Sequence, residues 1–254
     1  MSVRPKKELG QHFLVDQNIL GVIGRLAELE PHDVVLEIGA GLGVLTRYLA
    51  DRVAVVHAVE IDPSLAPHLA GIPNVTLALG DALQLDLAGL EPPPRKLVSN
   101  LPYNVATPIV VESLDGLPTL EGWCVMVQRE VADRFFASPG TKAYGGVSVL
   151  VQLAAERTGF HPVSRSVFRP APNVDSSLVA FRRRPIPESF AEIKHLVEAA
   201  FAHRRKTLPN SLALAGVASR EEAVEALAAL GQPPAVRAEA LPPEEFVELE
   251  RLLR

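Results

Sequence analysis

The chain has a single cysteine, Cys124, so no disulfide can form within it. That thiol sits in the apolar run Trp123-Cys124-Val125-Met126-Val127, the setting of a buried structural cysteine and not of a nucleophile. No uncharged apolar stretch is long enough to cross a bilayer, which excludes a membrane-spanning helix. The opening residues Met1-Ser2-Val3-Arg4-Pro5-Lys6-Lys7-Glu8 lack the apolar core of a secretory signal, so a cytoplasmic location is expected. The seven histidines are scattered without Cys or His partners at ligand spacing, and no metal site is expected. There are no internal repeats, and a net charge of -5 argues against indiscriminate binding to polyanions.

What is present is ordinary globular composition, 48% hydrophobic and 22% charged, in 254 residues, enough for one large domain or one large and one small. The acids gather at Asp51, Glu60, Asp62, Asp81, Asp86 and Glu91 and again over residues 221–250. The bases gather in three other places: Arg4, Lys6 and Lys7; Arg157, Arg165, Arg169 and Arg182-Arg183-Arg184; and His203-Arg204-Arg205-Lys206. Three basic segments on an acidic chain suit one positive face laid against phosphate, and equally suit solvated surface charge.

Residues 34–38 read as a buried strand running into the glycine loop Gly39-Ala40-Gly41-Leu42-Gly43 and a helix through Leu45, Leu49 and Ala50. Strands over 54–59, 75–79 and 96–99 end at Glu60, Asp81 and Asn100, with a helix over 64–70 between the first two. A strand over 123–128, a helix over 129–136 and a helix or turn over 145–153 follow, then two arms of a hairpin at 157–160 and 177–182. Arg184-Pro185-Ile186-Pro187 reads as a linker. Beyond it, Ser219-Arg220-Glu221-Glu222 is a capping box opening a helix over 223–230 that Gly231 ends, and Pro242-Pro243 opens a last amphipathic helix through Phe246, Leu249 and Leu252. The expected fold is α/β, a mostly parallel Rossmann-like sheet over residues 1–184, with a small all-α domain over 185–254.

In such sheets ligands bind beyond the carboxyl ends of the strands, where Gly39, Glu60, Asp81 and Asn100 all fall. A glycine loop alone would suit a dinucleotide, but that fingerprint needs Gly-x-Gly-x-x-Gly, whereas here the order is Gly-x-Gly-x-Gly after an acidic Glu37. An acid at that place suits a cation better than a diphosphate, and S-adenosylmethionine carries a sulfonium and an ammonium and no phosphate. Glu60, about nineteen residues on, is placed for ribose hydroxyls, and Asp81 for the adenine amine. Either acid alone could be a surface residue; their registration at successive strand ends favours ligands.

Asn100-Leu101-Pro102-Tyr103 reads on its own either as a turn or as a catalytic loop. The catalytic chemistry that fits it is methyl transfer to the exocyclic amine of a flat base, whose lone pair is delocalised into the ring. Acceptance of the amine hydrogens by the Asn100 side-chain oxygen and the Leu101 carbonyl would restore nucleophilicity, while Tyr103 offers a face for stacking.

With these motifs assembled, the chain resembles the ribosomal RNA adenine N6,N6-dimethyltransferase family, and within it the branch acting on small-subunit (16S) rRNA. The resemblance runs through Lys6-Lys7-Glu8-Leu9-Gly10-Gln11-His12-Phe13-Leu14, Glu37 to Gly43, Val59-Glu60-Ile61-Asp62, Gly80-Asp81-Ala82, Asn100 to Asn104, Tyr144-Gly145, Phe168-Arg169-Pro170-Ala171-Pro172-Asn173-Val174-Asp175-Ser176 and Phe201 to Lys206. It implies a class I methyltransferase sheet with an antiparallel last strand, S-adenosylmethionine as cofactor, and a monomer acting on 16S rRNA in the small subunit or its precursor. Cofactor contacts carry over to His12, Leu14, Gly39, Gly41, Glu60, Asp81 and Asn100, and catalysis to Asn100, Leu101, Pro102 and Tyr103. Tyr103 and Phe168 would stack the flipped adenine, and Arg204, Arg205 and Lys206 would meet RNA. Two positions depart from the family's pattern: His12, where Asn is common, and Pro209, which interrupts a continuous helix after Lys206. The rivals are a large-subunit rRNA adenine methyltransferase of the antibiotic-resistance type, a DNA adenine methyltransferase, and a catalytically idle ribosome-assembly or transcription factor.

Overall fold

A computed structural model describes residues 5–6, 11–203 and 205–254. Arg4, residues 7–10 of the N-terminal motif and Arg204 lie outside the described residues. Two compact units emerge, one of Met1–Ala132 with Arg157–Arg183, the other of Asp133–Glu156 with Arg184–Arg254. No helix among the described residues is long and apolar enough to cross a membrane.

The first unit opens with a two-residue strand, β1 (Phe13–Leu14), and α1 (Gln17–Leu26), which Asp16 caps by accepting from the Asn18 N–H at 2.7 Å. Alternating elements follow: β2 (Val34–Ile38), α2 (Val44–Ala50), β3 (Val55–Glu60), α3 (Ala66–Leu69), β4 (Val75–Leu79), β5 (Lys96–Asn100), α4 (Ala106–Gly116) and β6 (Gly122–Gln128). Beyond α5 (Arg129–Phe135) and α6 (Gly146–Ala154) come β7 (Ala155–Val163), the short β8 (Phe168–Arg169) and β9 (Ser176–Arg183). Seven strands form one sheet in the order β4-β3-β2-β5-β6-β9-β7. β4, β3, β2, β5 and β6 run parallel, and β9 is antiparallel to β6. The expected hairpin arms are β7 and β9, neighbours in the sheet, although the segment between them also carries β8, which pairs with β1.

Every residue of β2 is buried, as helices covering both faces require of a central parallel strand, whereas the edge strand β4 is half exposed. One face of the sheet presents Val35, Val98, Cys124, Met126 and Ala180 to Ile19, Leu20 and Ile23 of α1. Burial pushes the Cys124 thiol up to about 12, so the cysteine is a packing residue with no thiolate at neutral pH. The strand order reverses at β2, whose neighbours are β3 and β5. This is the topological switch point where an open α/β sheet leaves a crevice at its carboxyl edge.

The second unit is helical: α6, then α7 (Phe190–Phe201), α8 (Leu208–Ala215), α9 (Arg220–Ala229) and α10 (Pro243–Leu253). Residues 133–156, expected in the first domain, group with these helices. The Tyr144 hydroxyl donates to the Leu241 carbonyl at 2.7 Å, the Gly140 N–H donates to the Glu239 carbonyl at 2.7 Å, and a Cβ at Gly146 would lie 3.3 Å from Val197. The capping box is made in both directions, Ser219 accepting from the Glu222 N–H at 3.1 Å and Glu222 from the Ser219 N–H at 2.8 Å. Pro209 interrupts nothing, because α7 has ended at Phe201 and the proline sits in the first turn of α8, where no intrahelical N–H is needed.

Candidate active site

At the carboxyl edge of the parallel strands lies a cavity of about 320 Å³, and the expected site residues His12, Leu14, Gly39, Gly41, Glu60, Asp81, Asn100, Leu101, Pro102 and Tyr103 all line it. Register explains the convergence. Ile38 pairs with Val59 and Glu60 with Leu79, so the ends of β2, β3 and β4 stand side by side, and β5 delivers Asn100 on the other flank of β2.

The glycine loop is shaped by what approaches it. Gly39 has φ +82°, and a Cβ there would lie 3.1 Å from Pro102 Cδ; Gly41 has φ +58°, with the Phe13 ring 3.3 Å from where its Cβ would be. The loop is therefore moulded against the 100–103 segment on one side and β1 on the other. Glu60, buried at the end of β3, ties it down: Oε2 accepts from the Gly41 N–H at 2.7 Å and Oε1 from the Asp62 N–H at 2.9 Å. Each carboxylate oxygen retains a lone pair for a further donor. Asp81 likewise accepts from the Leu83 N–H at 3.0 Å and the Gln84 side chain at 3.2 Å while lining the cavity.

Glu37 faces the same cavity from β2, with Oε2 buried and without a hydrogen-bond partner. Burial pushes its carboxyl up to about 8, the nearby Thr46 hydroxyl opposing and the Glu60 charge adding. A cation in the cavity would relieve that penalty. Asp62 behaves in the opposite sense: burial resists its charge, but the Lys6 ammonium at 2.7 Å, the Ser64 hydroxyl and N–H, and the Gln11 amide at 3.0 Å hold it well below the usual carboxylate range. Asp62 and Gln11 were not among the expected site residues, and Glu37 was read only as an acid suited to a cationic ligand. The motifs that contain them were read, but the tie of Lys6 and Gln11 to Asp62 spans segments far apart in sequence and leaves no local pattern.

Asn100 donates its Nδ2 to the His12 carbonyl at 3.3 Å, which leaves Oδ1 as an acceptor with no partner among the described residues. The Leu101 N–H is held by the Met126 carbonyl at 3.1 Å and the Pro102 carbonyl accepts from Val105 at 3.1 Å, so the loop is fixed at both ends. The Tyr103 ring is half-buried, its hydroxyl 2.6 Å from Ser176 Oγ and its centroid 5.6 Å from that of His12 at a 30° tilt. Burial raises the phenol above its ordinary value, with the Ser176 bond opposing and Asp175 adding, so it stays neutral. His12 donates from Nδ1 to the Pro170 carbonyl at 2.8 Å.

Phe168, expected beside Tyr103 as a second stacking ring, is instead fully buried in the hydrophobic core, because its place in β8 opposite Leu14 turns the ring inward. Arg205 and Lys206 are exposed in the second unit, between α7 and α8, and are not part of the cavity lining. No three metal-ligating side chains gather among the described residues.

The family model described as ribosomal RNA adenine dimethylase matches residues 3–253. A protein of Rubrobacter xylanophilus named ribosomal RNA small subunit methyltransferase A is 50% identical over 253 residues, covering 98% of this chain and 95% of its own length. A protein of the same name from Streptococcus pneumoniae is 44% identical, covering 98% and 92%. Among solved structures, a dimethyladenosine transferase from Plasmodium falciparum superimposes with a TM-score of 0.76 at 25% identity over 94% of this chain and 96% of that one. The 23S rRNA methyltransferase ErmE superimposes with a TM-score of 0.65 at 31% identity over 95% and 99%.

Proposed function

This chain belongs to the ribosomal RNA adenine dimethylase family, and on that premise we propose that it dimethylates N6 of two adjacent adenosines in the 3′-terminal hairpin loop of small-subunit (16S) rRNA. S-adenosylmethionine would be the methyl donor, and the setting is cytoplasmic ribosome assembly. The cavity fits that cofactor on its own chemistry. Among the described residues, the one buried side chain lining it with an unpartnered oxygen is a carboxyl, Glu37, which favours a cation, and side chains at Gly39 and Gly41 would press on Pro102 and Phe13, which also line it. Gly39, Gly41, Glu60 and Asp81, with His12 and Leu14, would hold it. When bound, it supplies an electrophilic methyl group.

The observation that carries the reading is the orientation of Asn100. With Nδ2 held by the His12 carbonyl, Oδ1 is the atom left to accept from the target amine. A second acceptance by the Leu101 carbonyl would draw that nitrogen toward tetrahedral geometry and free its lone pair for in-line attack. Positioning supplies most of the rate. No strong base is needed, because the amine becomes acidic once methylated and loses its proton to water. Tyr103 offers the stacking face, which requires the adenine to be unpaired or flipped out.

The likeness to ErmE favours one competing reading, methylation of large-subunit rRNA. The names of the more similar relatives, at 50% and 44% identity, point to the small subunit. Tritiated methyl transfer from purified protein to separated ribosomal particles, with the modified adenines mapped, decides between them. Label in small-subunit rRNA supports the proposal, and label confined to the large subunit overturns it.

A further inference from the structure

Resting on that reading, in which Tyr103 is the platform for the target base, we propose that Ser176 is the positioning residue that aims the Tyr103 ring. Ser176 does not line the cavity and acts only through the tyrosine. It is fully buried at the first position of β9, in register with Gln128 at the end of β6, and its hydroxyl lies 2.6 Å from Tyr103 Oη. The backbone before it is pinned as well: the Asp175 carbonyl accepts from the Arg129 N–H at 3.1 Å, and the Asp175 side chain accepts from the Arg165 N–H at 3.1 Å. The serine hydroxyl is thus a fixed point supplied by the sheet to a residue that itself sits in a loop.

A phenol hydroxyl lies on the axis running from Cβ through the ring. A bond at that end fixes where the ring points and leaves rotation about the axis open. His12 limits that second freedom, its ring 5.6 Å away and tilted by 30°, held by the Pro170 carbonyl. Pro170 and Ser176 belong to one segment, so the stretch between β8 and β9 sets both direction and roll of the platform. Without the Ser176 bond the ring is free to librate within its χ1 well, and a stacked base would follow it by a fraction of an ångström out of line with the Asn100 oxygen.

The test is single-turnover methyl transfer to small-subunit particles, with cofactor affinity measured alongside. Ser176→Ala is expected to slow transfer about ten-fold, the scale of a sub-ångström misplacement, with cofactor Kd within about two-fold, because the serine does not itself line the cavity. Ser176→Thr, which keeps the hydroxyl, restores most of the rate. Tyr103→Phe matches Ser176→Ala, and the double variant is no slower than either single one, since both remove the same bond. Losses that multiply in the double variant, or a wild-type rate for Ser176→Ala, overturn the proposal. Should Ser176→Ala fail to fold, a fully active Tyr103→Phe overturns it by itself. Wild-type protein run in parallel reports on the underlying function, so that inactivity there is distinguishable from failure of the positioning role.

Discussion

Replacing Gly39 with alanine tests whether the glycine loop and the catalytic loop are mechanically joined. Two costs are separable. At φ +82° an L-residue is strained by roughly 1–2 kcal/mol, and the new Cβ would meet Pro102 Cδ at 3.1 Å and Cγ at 3.2 Å. Ordinary carbon contacts begin near 3.5 Å, so the proline must retreat by about 0.4 Å. Gly71→Ala is the control: φ is +76° there, but nothing lies within 4 Å of the added carbon, so it carries the strain without the push. Both variants should unfold at a Tm lower by about 2–8 °C, from that strain and the entropy scale of a chain of this size. Methyl transfer to small-subunit particles should fall about ten-fold or more in Gly39→Ala, because Pro102 lies between Asn100 and Tyr103, and stay unchanged in Gly71→Ala. Equal turnover in the two variants would refute the coupling, however large the loss of stability.

Asn100→Ala should abolish methyl transfer while leaving cofactor affinity within a few-fold, as read by calorimetric titration; equal loss of both would make the residue chiefly a cofactor ligand. Glu37, raised from 4.5 to about 8, binds a proton in the folded state that the unfolded chain releases. Its contribution to stability is therefore complete below about pH 4.5 and is lost as pH rises through about 8, at up to roughly 1.4 kcal/mol per pH unit. Denaturant melts of wild type and Glu37→Gln across that window should show the variant losing less stability with rising pH; parallel profiles would mean that the carboxyl is already ionised when buried. Arg205→Glu with Lys206→Glu should weaken particle binding and flatten its dependence on salt, and unchanged binding at low and high salt would remove that exposed segment from the RNA interface.

Strands β3, β4 and β5 were legible because each is a short, mostly apolar run with a polar residue at or just beyond its carboxyl end, and that same punctuation exposed Glu60, Asp81 and Asn100. What escaped was structure made by distant partners. β1 and β8 are two residues each, too short for any periodicity, and exist only because Phe13 and Leu14 meet Arg169 and Phe168 across most of the chain. The entry of residues 133–156 into the helical unit escaped for a related reason. The prolines at 185 and 187 mark where the chain leaves the sheet for the last time, but Gly140 and Tyr144 are anchored by backbone groups at 239 and 241, which carry no side-chain signature. Pro209 misled in the other direction, since a proline in the first turn of a helix looks in sequence like a break in a longer one.

At the site, residue type was easier to read than burial. Phe168 was expected to stack on a base because the family resemblance carried that role onto it, yet aromatic character says nothing about which side of a two-residue strand faces the core. Glu37 shows the reverse: its position in an otherwise apolar strand is plain in sequence, while its unpartnered oxygen is visible only in three dimensions. Natural chains satisfy nearly all buried polar atoms, and those left unsatisfied concentrate where a ligand or a charge completes them. Glu37 meets that description because it also lines the cavity that Glu60 and the glycine loop line. Ser177 Oγ, equally buried and unpartnered on β9, faces no cavity residue named above, and nothing in the structure explains it. Thr46 Oγ1 is a third such atom and its residue does not line this cavity either, so of these three only Glu37 combines an orphaned oxygen with a place in the cavity lining.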